Sequence, residues 1–296
     1  MEEIKKKKLL IIQDGEPDDL WAMTSANIFL DNSIPFFILV VAPDPKTTVE
    51  NTRQLFEKMN TKREFTIVEG AKYGREIGIV EPEDQSYVKK LDDFIMSEGQ
   101  LDVLLITTCY GLMKHYKKDW DKKINIVYHM GGLNAQGGLG FNWRVGKEWI
   151  IEFLKIPAKK IILETGYYTK AFKEKYNTAS ITPTSHKEFM DILKKSESPV
   201  LIFLKENMSK FTRKMLETNP ESKKFYKEEE IDFSIGPSDV IIAMIMISID
   251  FQDKKFKTMK KIYENLEYES ICDIDWKWFD ASLGYLILIL HASYLK

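Results

Sequence analysis

Asp14, Glu16, Asp18 and Asp19 place four carboxylates within six positions of the stretch Ile11-Ile12-Gln13-Asp14-Gly15-Glu16-Pro17-Asp18-Asp19-Leu20-Trp21-Ala22. They follow the apolar run Leu9 to Ile12, which reads as a short buried strand, and precede a helical pattern. Carboxylates so placed admit two readings. They can open a helix, since proline suits the first turn and acids there meet the positive end of the helix dipole. Alternatively Asp14 and Asp19 face each other across a strand-to-helix turn and chelate a hard cation, which takes several carboxylate or carbonyl oxygens. The spacing serves both.

Two later stretches have the same double character. The loop Met130 to Asn142 carries five glycines between Gly131 and Gly140 and two asparagines, Asn134 and Asn142. Glycines after a strand let the backbone approach a ligand closely, and asparagine amides can donate to and accept from sugar hydroxyls. No Gly-x-Gly-x-x-Gly opens a helix here, so this is not a dinucleotide fingerprint. Further on, Gly236-Pro237-Ser238-Asp239 precedes the apolar run Val240 to Ile249. Asp239 reads either as a helix cap or as a carboxylate drawn inside with a buried helix, where an unpaired charge is costly and a cation ligand is not.

The elements that must position these groups alternate. Strand patterns at Leu9–Ile12, Ile34–Val41, Glu64–Val68, Leu101–Thr107, Ile124–Met130 and Lys160–Glu164 are separated by helical patterns at Leu20–Leu30, Thr47–Met59, Ser86–Ser97, Gly111–Asp119 and Lys147–Leu154. Tyr73 to Asp84 reads as a loop. Continuous apolar strands joined by helix-length connections predict an α/β protein with an open, mostly parallel, Rossmann-like sheet and helices on both faces. Such sheets bind ligands beyond the C-terminal ends of their strands, so Asp14, Tyr110 and the loop after Met130 share one edge. Beyond Thr165 the pattern turns mainly helical, with Pro220 to Asp232 as an exposed charged connection. A single domain over residues 1–296 is expected.

Composition narrows the function. The chain is 296 residues long, 44% hydrophobic and 30% charged, with a net charge of -2. No global field would draw in nucleic acid or an anionic membrane. The lysines before Leu9 precede an apolar core too short for a signal peptide, and Ala281 to Leu295 is too short to span a bilayer. Cys109 and Cys272 fit no metal or redox spacing, which suggests a reducing, cytoplasmic setting. A Gly-x-Ser-x-Gly elbow and a Cys/His zinc pattern are both absent.

Together the landmarks resemble the inosine–uridine nucleoside hydrolase family. Asp14, Asp18 and Asp19 match its Asp-x-x-x-Asp-Asp turn after the first strand, Met130-Gly131-Gly132 its Met-Gly-Gly strand end, and Phe141-Asn142 its later Phe-Asn. Asp239 is similar to its C-terminal helix-opening aspartate. The resemblance implies a nucleoside hydrolase-like fold with a helical second half. It implies a calcium ion held by Asp14, Asp19, Asp239 and the backbone carbonyl of Tyr110. It further implies hydrolysis of an N-glycosidic bond in a nucleoside or related ribosyl compound, with a metal-bound water as nucleophile and Asp14 as general base. Asp18, Met130, Asn134 and Asn142 would line the sugar. The expected partner is a small nucleoside or nucleotide, and the expected assembly a homodimer or homotetramer.

Four departures bear on substrate and activity. Ile12, Gly140 and Ser238 stand where the family has an aspartate, a sugar-binding glutamate and often a histidine, and Val145-Gly146-Lys147 replaces a Pro-containing acidic turn. Loss of a carboxylate at Gly140, with Arg144 and Lys147 nearby, suggests a 5′-substituted ribose. The acid that assists the leaving base is unassigned among His129, His186, Trp143 and Tyr167, each of which, for lack of any spacing signal, reads first as a packing or surface residue. Trp276 and Trp278 read as an aromatic cluster, with the wall of a base pocket as the alternative. The alternative function is a catalytically silent relative that binds a nucleoside or sugar as sensor or scaffold.

Overall fold

The computed structural model describes residues 6–74, 78–176, 187–218 and 238–294. Its centre is β1 (Lys7–Gln13), which pairs in parallel with β2 (Phe36–Ala42) on one side and β5 (Gln100–Leu105) on the other. β3 (Phe65–Gly74) and β4 (Gly78–Val80) extend the first side; β6 (Ile124–Gly131), β7 (Lys159–Glu164), β9 (Leu266–Ile274) and β8 (Phe256–Tyr263) extend the second. The nine strands form one mixed sheet in the order β4-β3-β2-β1-β5-β6-β7-β9-β8, antiparallel only at β3–β4 and β8–β9.

Side chains alternate between the faces of a strand, and here both faces are dry. Leu9, Ile11, Phe36, Ile38 and Leu104 face one layer, where they meet Trp21 of α1 (Pro17–Phe29), Leu204 of α9 (Pro199–Thr218), Ile242 of α10 (Ser238–Asp250) and Leu290 of α11 (Trp276–Ala292). Leu10, Ile12, Phe37, Leu39 and Val103 face the other, against Leu91 of α3 (Ser86–Met96), Leu112 of α4 (Tyr110–Met113) and Phe153 of α6 (Ile150–Lys155). Burial on both faces is why the strands read as unbroken apolar runs. Trp276 packs edge-on against Phe279 beside the first layer, as expected of the aromatic cluster.

Helices run opposite to the strands, so their C-terminal carbonyls collect at the N-terminal edge of the sheet. Three buried cations meet them there. Arg63 donates to the carbonyls of Asn27, Leu30, Asp31 and Ile34 at the end of α1. Lys8 donates to those of Phe94, Ile95 and Ser97 at the end of α3. Lys160 donates to those of Ile156 and Ala158 after α6.

The structure departs from the sequence pattern in four places. β3 runs through Tyr73 to Gly74 and turns back as β4, where a loop was expected; a three-residue edge strand carries too few apolar positions to show a period. α4 stops at Met113, short of the expected Asp119, and a 3₁₀ turn follows at Lys118–Lys122, whose Trp120 is buried against the second layer. The expected helix at Lys147–Leu154 opens as a 3₁₀ turn at Lys147–Trp149 and becomes α-helical only in α6, and a further short helix, α5 (Phe141–Val145), precedes it inside the glycine loop. The chain after Thr165 is mainly helical, with α7 (Thr165–Tyr176), α8 (Lys187–Lys195), α9, α10 and α11, but the β8–β9 hairpin returns it to the sheet. Pro220 to Asp232 and His186 lie outside the described residues. Among the described residues no helix is long and apolar enough to cross a membrane.

Candidate active site

From β1 the chain moves outward through β2 and β3, then returns to build β5, β6 and β7 on the opposite side. The strand order therefore reverses between β1 and β5, which opens a crevice at their C-terminal ends. Asp14 is the first residue past β1 and stands at that crevice.

Gly15 lets the chain turn there. Its φ is +86°, and a Cβ would lie 2.5 Å from Thr48 Cγ2, so both conformation and space exclude a side chain. The turn folds its own amides onto Asp19, whose Oδ2 accepts from the N–H groups of Asp14 (3.0 Å), Gly15 (2.7 Å) and Glu16 (3.1 Å). The helix-opening reading thus holds for one oxygen of Asp19. The other, Oδ1, is buried with no hydrogen-bond donor among the described residues.

α1 packs on α10, and the N-terminal ends of both helices bring Asp18, Asp19 and Asp239 together. Asp14, Asp18, Asp19 and Asp239 are between 0% and 8% exposed. Asp18 Oδ2 accepts from Ser238 Oγ at 3.0 Å, and the Asp18 and Asp239 carboxyls lie within hydrogen-bonding range of each other. Asp239 Oδ1, like Asp19 Oδ1, is buried without a donor among the described residues. Asp14 Oδ2 accepts from Tyr73 Oη at 2.7 Å.

Burial dominates the electrostatics. It pushes the Asp18 carboxyl up to about 6, against the hydrogen bonds of Asp239 and Ser238 and with the charge of Asp14 adding to it. Burial, then the charges of Asp14 and Asp18, pushes Asp19 upward, against the pull of its three amides. Burial, then Asp18 and Asp19, pushes Asp239 upward. Desolvation by burial, then the negative charge of Asp14, holds the Tyr73 phenol protonated.

Buried like charges with unpaired oxygens need a proton or a cation. The hard oxygens of Asp14, Asp19 and Asp239 suit calcium, and the two orphaned oxygens fit a cation. The fit is one of donor chemistry: among the described residues no three His, Cys, Asp or Glu side chains are arranged to hold a metal ion as they stand.

The other expected site residues are placed as follows. The Tyr110 carbonyl accepts from Lys114 N–H at 2.9 Å within α4, while its phenol donates to Glu81. Met130 ends β6, and its carbonyl accepts from Asn142 Nδ2 at 2.9 Å, which fixes that amide. Asn134 Oδ1 is turned into its own loop, accepting from the Gln136 and Gly138 N–H groups at 3.0 Å each. Arg144 is exposed, its guanidinium 5.7 Å from the Phe141 ring centre. Of the candidate acids, His129 is fully buried: its Nδ1 contacts the Leu105 carbonyl at 2.8 Å and its Nε2 accepts from Trp143 Nε1 at 3.0 Å. Those partners fix one neutral tautomer, and burial lowers its titration to about 4. His129 and Trp143 occupy each other. Tyr167 lies beside Asp273 and Cys272 of β9, and burial pushes it up to about 12. Tyr73 escaped the sequence reading; its only signal there is a tyrosine in a stretch without period.

No protein-family model matches the sequence, and no curated protein matches it. Solved structures do match the fold. An inosine-uridine preferring nucleoside hydrolase from Bacillus anthracis superposes with a TM-score of 0.61 at 12% identity, covering 95% of this chain and 99% of that one. An inosine-guanosine nucleoside hydrolase gives 0.64 at 12% identity, covering 96% and 99%. The type III effector protein XopQ, solved in complex with adenosine diphosphate ribose, gives 0.65 at 12% identity, covering 98% and 95%. From end to end, this chain has the nucleoside hydrolase fold.

Proposed function

We propose that the protein hydrolyses the N-glycosidic bond of a ribosyl compound in a calcium-dependent reaction. The observation that carries this reading is the set of four buried aspartates at the sheet's crossover crevice, two of them with orphaned oxygens. Bound there by Asp14, Asp19 and Asp239, calcium would offset the carboxylate repulsion and supply Lewis acidity toward water and sugar hydroxyls.

The chain's own groups divide the remaining work. Asp14, with Tyr73 donating to one of its oxygens, is the carboxylate suited to take a proton from water as general base. Asp18 accepts hydrogen bonds on the same crevice and is suited to a sugar hydroxyl. Asn142, fixed through the Met130 carbonyl, keeps its own amide oxygen for a second. The ligand class is a ribosyl compound, for which the fold's likeness to an effector solved with adenosine diphosphate ribose is the support. Arg144 on the exposed face of α5 is the cation suited to a 5′ phosphate.

A second reading is a protein that binds such a ligand without cleaving it. Mutual locking of His129 and Trp143 favours it, since neither is free to protonate a leaving base. One experiment separates the two. Inosine, inosine 5′-monophosphate, nicotinamide riboside, its mononucleotide and adenosine diphosphate ribose are incubated with calcium and assayed for free base or reducing sugar, alongside calorimetric binding. Turnover abolished by Asp14→Ala supports the hydrolase, and binding without turnover supports the silent relative. Preference for the 5′-phosphorylated compounds, lost in Arg144→Ala, supports the role of Arg144.

A further inference from the structure

Tyr73 reaches the acidic turn from the far side of β2. It is the penultimate residue of β3, two places from β1 in the sheet, and is 5% exposed. Its hydroxyl gives Asp14 Oδ2 a 2.7 Å hydrogen bond, and Thr107, just past β5, stands within hydrogen-bonding range of the phenol oxygen. Asp14 Oδ1 receives no hydrogen bond from an N–H or hydroxyl among the described residues. Tyr73 therefore takes one oxygen of this carboxylate, and the carboxyl also lies within hydrogen-bonding range of Asp19, the neighbouring carboxylate of the turn.

A carboxylate meets a hard cation through one oxygen or both, and calcium accepts either mode. The geometry points to Tyr73 as a positioning residue that holds Asp14 Oδ2, so that Asp14 meets the cation through Oδ1 alone. This rests on the reading of the acidic turn as a calcium site. Its consequence for that site is a coordination position spared for water or a sugar hydroxyl, which a two-oxygen grip by Asp14 would fill. A phenol is suited to the task because it donates one hydrogen bond and brings no charge that would compete with the cation. A tyrosine that only packed would leave the cation's surroundings unchanged.

The test uses the full chain loaded with europium, a luminescent hard cation whose decay rates in light and heavy water count its bound waters. Tyr73→Phe removes one oxygen atom and keeps the ring. The variant is expected to hold about one water fewer than wild type, because Asp14 then closes on the ion with both oxygens. Calorimetry is expected to show calcium bound several-fold more tightly. The infrared splitting between the two carboxylate stretches, measured as calcium-minus-chelator difference spectra, should narrow for the same reason. Equal water counts, equal affinity and equal splitting in the two proteins would overturn the role of Tyr73 and leave the calcium site standing. Failure of wild type to bind either ion would overturn both.

Discussion

Ser238 donates to Asp18 Oδ2 at 3.0 Å across 220 positions of sequence, joining the first turn of α10 to the first turn of α1. Two helices point their positive ends into one crevice, and the aspartates between them are partly neutralised by those dipoles. The hydroxyl also stabilises the ionised form of Asp18. Ser238→Ala is expected to move the Asp18 carboxyl above about 6, so calcium binding should weaken more at acid than at alkaline pH. Calorimetry on either side of that value reads the difference; equal weakening at both would deny the link.

Removing calcium should lower the melting temperature by several degrees, because a ligand held only by the folded state stabilises it by mass action. Protons compete for the same carboxylates. Asp18 titrates near 6 when folded against 3.8 ordinarily, so over that range the folded state binds more protons and the cation-free protein gains stability as pH falls. The gap between melts in calcium and in chelator should therefore close as pH drops through about 6. A gap constant with pH would contradict this assignment of the carboxylates.

Restoring the glutamate that the resemblance leads one to expect at position 140 should fail. A Cβ at Gly140 would lie 2.7 Å from Thr165 Oγ1 and 2.9 Å from the Gly132 carbonyl oxygen, which is backbone and cannot swing aside. Gly140→Glu is expected to destabilise by about 1–3 kcal/mol, as overpacking does, without tightening ribosyl ligands. Denaturant unfolding and calorimetry check the two halves.

His129 gives a pH dependence of opposite sign to Asp18. Its folded value of about 4 lies below the ordinary 6.5, so the unfolded chain binds more protons between them and stability falls as pH drops through that window. The loss attributable to this residue is about 2 kcal/mol by pH ~5, and none above its ordinary value. His129→Phe should remove that slope. At neutral pH the variant should cost about 2–4 kcal/mol, since the Leu105 carbonyl and the Trp143 indole N–H lose their partner. Urea unfolding at two pH values measures both; an unaltered slope would mean that His129 is not the group that titrates.

The acidic turn, the glycine loop and the Ser-Asp helix opening were legible because each is a local pattern with a local cause. The sheet was legible because strands dry on both faces write themselves as apolar runs. What sequence could not supply is anything that depends on which strands lie beside each other. Tyr73 touches Asp14 across 59 positions, through a strand order that no spacing encodes. Tyr110 shows a subtler limit. The resemblance and its place after β5 suggest a carbonyl turned to a cation, but α4 begins at Tyr110 itself and that carbonyl accepts from Lys114 N–H within the helix. His129 shows a third. A histidine in a buried strand reads alike as acid or as packing until the Leu105 carbonyl and Trp143 are seen on its two nitrogens.

The buried cations at the other edge of the sheet have a consequence for motion. Arg63, Lys8 and Lys160 lie in or just before β3, β1 and β7, yet each grips the last turn of a helix. Helix ends ordinarily fray and exchange their amide hydrogens through small local openings. Here an end of α1, α3 or α6 cannot open without pulling a charged side chain off its carbonyls and exposing it to a dry interior. Amides in those final turns should therefore exchange only when the sheet itself opens, and α1 is pinned at the end opposite its aspartates. The carboxylates of the crevice ride on a helix that cannot slide or unwind from behind, so adjustment to a ligand is confined to side chains and to the turn at Gly15.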